Sequence, residues 1–317
     1  MKAVRFHEFG GADVLRVDEV ERPQPKSGEV LIRVAVAGVN YADTMLRAGN
    51  YFTRPPLPFT PGFEVAGVIE TVGEGVAGLQ AGQRVMAKFQ GGGYAEYAVA
   101  RAADVVPVPD ELDFGRATAL LAQGLTALGL LKNLQAGQTV LIHAAAGGVG
   151  SLLVQLAKQR GARVIGTAST AEKLQLAESL DADVMVNYTE AGWTEGVLAA
   201  TGGKGVDLLI EMVGGEVGGQ NVKLLAMGAT MIVYGAASGK DFPISALGLM
   251  SKNLTVRGYT LYSETPETMA EFTRELISHV AAGRLRITVQ EFALTHAAVA
   301  HRAVEGRQTT GKVVLTV

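Results

Sequence analysis

At 317 residues, 48% hydrophobic and 19% charged, the chain is long enough for two domains and too apolar for general disorder. Its net charge of −3 gives no electrostatic drive toward nucleic acid or an anionic membrane, and neither is expected as a partner. With zero cysteines, disulfides, thiolate zinc sites, iron–sulfur clusters and a cysteine nucleophile are excluded, so redox work needs a bound cofactor. The opening MKAVRFHEFGGADV lacks a charged segment ahead of an apolar core. No 18-residue uncharged apolar run follows, so the expected location is the cytoplasm.

Before residue 110 the chain reads as strands and turns: AVRF, VLIRVAVAGV, EVAGVIETVG, QRVMAKF and AEYAVA lie between glycine and proline clusters. Residues 54–63, RPPLPFTPGF, carry four prolines and predict an extended surface loop of the kind that borders pockets. From Asp113 the pattern turns helical through ATALLAQGLTALGLL. It then alternates as strand 139–144, helix 149–160, strand 163–168, helix 171–180 and strand 183–188. DLLIEMV, TMIVYGA and LTVRGYT supply further strands, and this alternation predicts a doubly wound parallel sheet. After Ser263 a helix, PETMAEFTRELISHVAAG, precedes RITVQEFAL and VVLTV, which resemble the β-rich start. The expected protein is therefore α/β, with a β-rich domain of residues 1–113 and 262–317, a Rossmann-type domain of residues 114–261, and a ligand cleft between them.

The most informative stretch is HAAAGGVGS, residues 143–151, set between the apolar run before His143 and the helical SLLVQLAKQ. The dinucleotide fingerprint GxGxxG stands here as AxGxxG, with Ala145, Gly147 and Gly150. A helix beginning there offers unpaired N–H groups and a favourable dipole end to a diphosphate. About twenty residues further on, an NAD site usually places an acid on the ribose 2′-hydroxyl. Thr167, Ala168, Ser169 and Thr170 stand there instead, with Lys173 beyond, which points to the 2′-phosphate of NADPH. Lys173 on a solvated helix face is the competing reading. Of the five histidines, none forms HExxH, and His296 and His301 share no helix face well, so surface or core roles are expected and a metal is not.

Taken together, GVNYADTMLRAGNY, PGFEVAGVIETVGEGV followed by GQRV, AAAGGVGS and the terminal GRQTTGKVVL resemble the zinc-free quinone oxidoreductase (zeta-crystallin-like) branch of the medium-chain dehydrogenase/reductase superfamily over nearly the full length. The resemblance implies a GroES-like catalytic domain beside the Rossmann domain. Zinc-bearing relatives have a cysteine where this chain has Asn40 and a histidine where it has Phe63, and KFQGGGYAEY replaces their cysteine-rich lobe. It therefore implies a metal-free enzyme that reduces quinones or other conjugated carbonyl compounds with NADPH, and a homodimer joined near residues 254–260.

By the same resemblance, Asn40, Asp43 and Tyr51 line the substrate side, with Asn40 and Tyr51 as hydrogen-bond donors to the substrate oxygen. For Asp43 the alternative is a cap for a helix beginning at Thr44; for Tyr51 it is loop packing. Some relatives carry a tyrosine at Met45, and Glu64 reads as the structural partner of an arginine. The coenzyme would be held by Ala146, Gly147, Gly148 and Val149 at the turn, and by Ser169, Lys173 and Tyr188 around the adenosine phosphate. Thr126 would lie near the nicotinamide, while Met212 and Val213 after the fourth strand and Tyr234 with Gly235 at the end of the fifth would point into the same crevice. Thr310 and Lys312 either close over the nicotinamide side or belong to an ordinary final strand. Rival readings are a zinc-free enoyl-thioester or 2-alkenal reductase, for which only Arg47 and Arg54 offer a basic rim, and an NADPH-binding protein without turnover.

Overall fold

The alternating segments of the first hundred residues form strands in the computed structural model, which describes residues 1–317. Lys2–Phe6 (β1) pairs antiparallel with Leu15–Glu19 (β2). Glu29–Val39 (β3), Glu64–Val72 (β4), Arg84–Lys88 (β5), Tyr97–Arg101 (β6) and Val105–Pro107 (β7) enter a second sheet. Its spine is β3, antiparallel to both β4 and β6; Val30, Ile32 and Val34 are buried in one cluster with Ile69, Val85 and Ala98. Between β3 and β4 lies helix Tyr41–Ala48 (α1), which begins before Thr44 and ends on Gly49 at φ 76°, a left-handed conformation glycine adopts without a Cβ penalty.

Phe114–Ala119 (α2) starts at Asp113, whose carboxylate accepts the Arg116 N–H at 2.8 Å. The continuous helix expected here is interrupted: Leu120–Gly124 winds as a π-turn before Leu125–Leu130 (α3). Such a turn displaces an N–H from the regular ladder, and that of Ala122 donates to Glu64 Oε2 at 2.8 Å. The chain divides into two units at this turn, Met1–Ala122 with Ile287–Val317, and Gln123–Arg286.

The second unit alternates strand and helix as its periodicity predicts. Thr139–Ile142 (β8), Gly148–Gln159 (α4), Arg163–Ala168 (β9), Ala171–Ser179 (α5) and Val184–Asn187 (β10) come first. Trp193–Ala200 (α6), Val206–Glu211 (β11), Gly215–Leu224 (α7) and Leu225–Val233 (β12) follow, then Ala246–Lys252 (α8), Thr255–Gly258 (β13) and Pro266–Ala281 (α9). All six strands are parallel in the order β10-β9-β8-β11-β12-β13. Val140, Leu141 and Ile142 are wholly buried, as a strand covered on both faces requires. The order reverses between β8 and β11, and ligands of such sheets bind beyond the strands' carboxyl ends at that reversal.

Helix α9 packs on α3 and belongs to this unit, so the chain returns to the first unit after α9 and not at residue 262. Residues 114–122 likewise stay with the first unit. The return supplies Val289–Ala293 (β14), Ala297–Glu305 (α10) and Lys312–Thr316 (β15). Strand β15 lies parallel to β14 and antiparallel to β3, with Val313 opposite Val39.

Candidate active site

In the first unit the pairing of β15 with β3 brings Lys312 beneath the end of β3, where Asn40 begins α1. Lys312 is 1% exposed and Glu64 fully buried, and their ammonium and carboxylate form an ion pair. The Lys312 Nζ also donates to Asn40 Oδ1 at 3.2 Å and to the Val39 carbonyl at 3.4 Å. Asn40 Nδ2 donates to Glu64 Oε1 at 2.8 Å. An ammonium only donates and a carboxylate only accepts, so the Asn40 carboxamide has one permitted orientation. Glu64 completes its set with the Ala122 N–H, and its expected arginine partner is this lysine. Glycine at 38 leaves room for it: a Cβ there would lie 2.5 Å from Glu64 Oε1.

Asp43, expected on the substrate side, is enclosed by the protein and meets backbone N–H groups. It is fully buried at the third position of α1, accepting the Asn40 N–H at 2.8 Å and the Gly62 N–H at 3.0 Å. It thus ties the start of α1 to the end of the proline loop. Burial pushes its pKa up to about 7, against the pull of the two N–H donors and with Glu64 adding to the rise. Tyr51 is half-buried, its ring 5.0 Å from Phe52 and 6.0 Å from Phe63 between centroids. Arg47, expected on a basic rim, is 2% exposed and paired with Glu305; His301 Nδ1 is 3.3 Å from it and Tyr94 is 3.0 Å from His301 Nε2.

No group of three or more His, Cys, Asp and Glu side chains converges to take a metal. Beside Asn40, a neutral carboxamide and Phe63 stand where the resemblance puts ligands in zinc-bearing relatives, and the Glu64 carboxylate is paired with Lys312.

In the second unit most of the expected coenzyme residues follow the carboxyl ends of the parallel strands, whereas Lys312, also expected at the coenzyme, belongs to the first unit. Ala146 and Gly147 follow β8, and Gly148 and Val149 open α4, whose first-turn N–H groups lack carbonyl partners within the helix. A Cβ on Gly150 would lie 2.2 Å from the Ala144 carbonyl oxygen, so this residue lets α4 close on the turn. Ser169 follows β9 and Tyr188 follows β10, with the Tyr188 N–H donating to Ala168 at 3.2 Å. Lys173 sits in the first turn of α5, capped by Thr170. Glu172 turns back on that helix start: its own backbone N–H first, then the Thr170 hydroxyl, lower its pKa. Met212 and Val213 follow β11, Tyr234 and Gly235 follow β12, and Thr126 lies on α3.

A buried network beneath the turn was missed at the sequence level. His143 Nδ1 pairs with Thr167 Oγ1 at 2.8 Å and Nε2 with Asn221 Oδ1 at 2.9 Å, while Glu211 accepts from Asn221, from Val213 and from Gly214 at 2.7 Å. It braces the loop that carries Met212 and Val213. A lone His, Asn and Glu at unrelated spacings carry no local signal of such a partnership.

Residues 148–278 match the family model for zinc-binding dehydrogenases, and residues 26–110 that for the alcohol dehydrogenase GroES-like domain. The quinone oxidoreductase of Rattus norvegicus is 36% identical over 322 residues, spanning 99% of this chain and 97% of that protein. The crystal structure of Escherichia coli quinone oxidoreductase complexed with NADPH gives a TM-score of 0.94 at 32% identity, covering 100% of both chains. A mycobacterial protein complexed with NADPH gives 0.93 at 36% identity, again covering 100% of both.

Proposed function

This chain belongs to the quinone oxidoreductase family of the medium-chain dehydrogenase/reductase superfamily, and on that premise we propose that it is an NADPH-dependent, metal-free reductase of quinones or related conjugated carbonyl compounds. The observation that carries this reading is the fixed carboxamide of Asn40 between Lys312 and Glu64. Its Nδ2 has a second N–H beyond the one given to Glu64. Because Oδ1 is held by an ammonium, Asn40 meets a substrate only as a donor.

Bound NADPH supplies a hydride from its nicotinamide C4. Asn40 Nδ2–H and the Tyr51 hydroxyl then donate to the acceptor oxygen, where negative charge develops. Donors of this kind suffice for a quinone or enone, whereas alcohol oxidation calls for the alkoxide stabilisation that a metal provides. Lys312 acts on the substrate through Asn40. The turn Ala146 to Val149 takes the diphosphate, Ser169, Lys173 and Tyr188 take the adenosine phosphate, Thr126 borders the nicotinamide, and Met212, Val213, Tyr234 and Gly235 face the coenzyme from the ends of β11 and β12.

The burial of Arg47 against Glu305, and the engagement of Arg54 Nε with the Gly49 carbonyl at 3.2 Å, weigh against a thioester whose carrier phosphates need a basic rim. A cytoplasmic homodimer joined through the edge strand β13 completes the proposal; no helix is long and apolar enough to cross a membrane.

The test mixes enzyme and NADPH with 1,4-benzoquinone, 9,10-phenanthrenequinone, an enal or crotonyl-coenzyme A, following coenzyme absorbance with and without a chelator. Quinone-dependent oxidation indifferent to chelator is expected. Preference for the thioester overturns the acceptor assignment, loss of activity with chelator overturns the metal-free mechanism, and no oxidation with any acceptor leaves a binding protein.

A further inference from the structure

The glycine turn has a companion on the preceding helical segment. Gln123, in the π-turn before α3, is only 8% exposed, and its Oε1 is buried with no hydrogen-bond partner. The carboxamide lies directly on Gly148, the first residue of α4. A Cβ at 148 would be 2.3 Å from Gln123 Nε2, 2.4 Å from Cδ and 2.5 Å from Oε1. A side chain at 148 would have to push the Gln123 carboxamide aside, so glycine here lets that carboxamide lie flat over the start of α4. A buried carbonyl oxygen left unpaired is costly, and few remain so without a function.

We infer that Gln123 is a coenzyme-binding residue, whose carboxamide turns on binding to bring Oε1, buried without a partner in the free chain, to a hydroxyl of the ribose on the nicotinamide side of the diphosphate. This rests on the NADPH reading above. The chemistry selects the group: a carbonyl oxygen needs a donor, which excludes the diphosphate oxygens and leaves hydroxyls or amides of the coenzyme. Position selects the ribose. Gln123 lies against the start of α4, where a diphosphate is favoured, and Thr126, one turn further along the same helical run, is assigned to the nicotinamide.

The experiment titrates NADPH, and separately adenosine 2′,5′-bisphosphate, onto wild type, Gln123→Met and Gln123→Ala without acceptor, by calorimetry. Methionine keeps the length and volume of the side chain, and alanine empties the space. Circular dichroism verifies folding of both variants. Expected is a loss of about tenfold in NADPH affinity in both variants, with the bisphosphate, which lacks the second ribose, bound as by wild type. Unchanged NADPH affinity, or equal loss for both ligands, overturns the assignment. Failure of wild type to bind NADPH overturns the coenzyme reading itself and this inference with it.

Discussion

Three buried ionisable side chains of the first unit each carry a measurable consequence. Lys312 is the first: if it works by orienting Asn40, then Lys312→Met with Glu64→Gln, which keeps the buried charges balanced, lowers kcat by about 10- to 100-fold while NADPH affinity in a fluorescence titration stays unchanged. Loss of coenzyme affinity instead would make Lys312 a direct coenzyme ligand. Asp43 and His301 pull stability in opposite directions with pH. Burial, then Arg47, lowers the His301 pKa to about 3, so between pH 6.5 and 3 the unfolded chain binds the proton and stability falls on acidification. Asp43, raised to about 7, binds its proton in the folded state first, so stability falls as pH rises from 3.8 through 7. In urea titrations across this range, the deficit of His301→Gln relative to wild type should shrink toward acid. That of Asp43→Asn should shrink toward pH 7 and above, each by up to about 1.4 kcal/mol per pH unit. At the coenzyme side, Lys173→Ala should weaken NADPH about tenfold or more and NADH little; equal losses would return Lys173 to a helix-surface role.

Helices α1 and α10 meet through one buried guanidinium. Arg47 reaches the Gly10 carbonyl at 3.1 Å, His301 and Glu305, so a helix near the start of the chain is held by one near its end. Removing one partner of such a pair leaves a buried charge, and Glu305, about one-third exposed, moderates the penalty. Glu305→Gln should therefore cost about 1–3 kcal/mol in chemical denaturation and leave NADPH affinity intact, since the proposed coenzyme residues other than Lys312 lie in the other unit. A shift in NADPH affinity would refute that independence.

For the molecule as a whole, the parallel sheet ends on β13, whose outer edge pairs with no strand of the same chain, and Met227, Leu247 and Met250 of the same unit are about three-quarters exposed. Unpaired edges and exposed apolar side chains favour self-association, and a two-fold dimer joins two such edges antiparallel. Light scattering should return twice the chain mass, and Val256→Pro, which removes an edge N–H, should shift it toward the monomer; a monomeric wild type sinks the assembly.

Fold and site were legible to different depths. The parallel sheet, the strand–glycine–helix turn and the absence of thiolate ligands follow from features within a few residues of one another, because side-chain periods of 2 and 3.6 and a helix N-terminus are local properties. The π-turn at 120–124 was not legible, since its helical apolar pattern is unchanged and only the Ala122–Glu64 bond marks the break. Nor were the Asn40–Glu64–Lys312 cluster, the burial of Arg47 and Asp43, or the seat of Gln123 on Gly148. Lys312 and Asn40 are 272 residues apart and meet because β15 takes one register against β3. No local period encodes that register; only closing the sheets decides which polar groups are buried together and which remain free to meet a ligand.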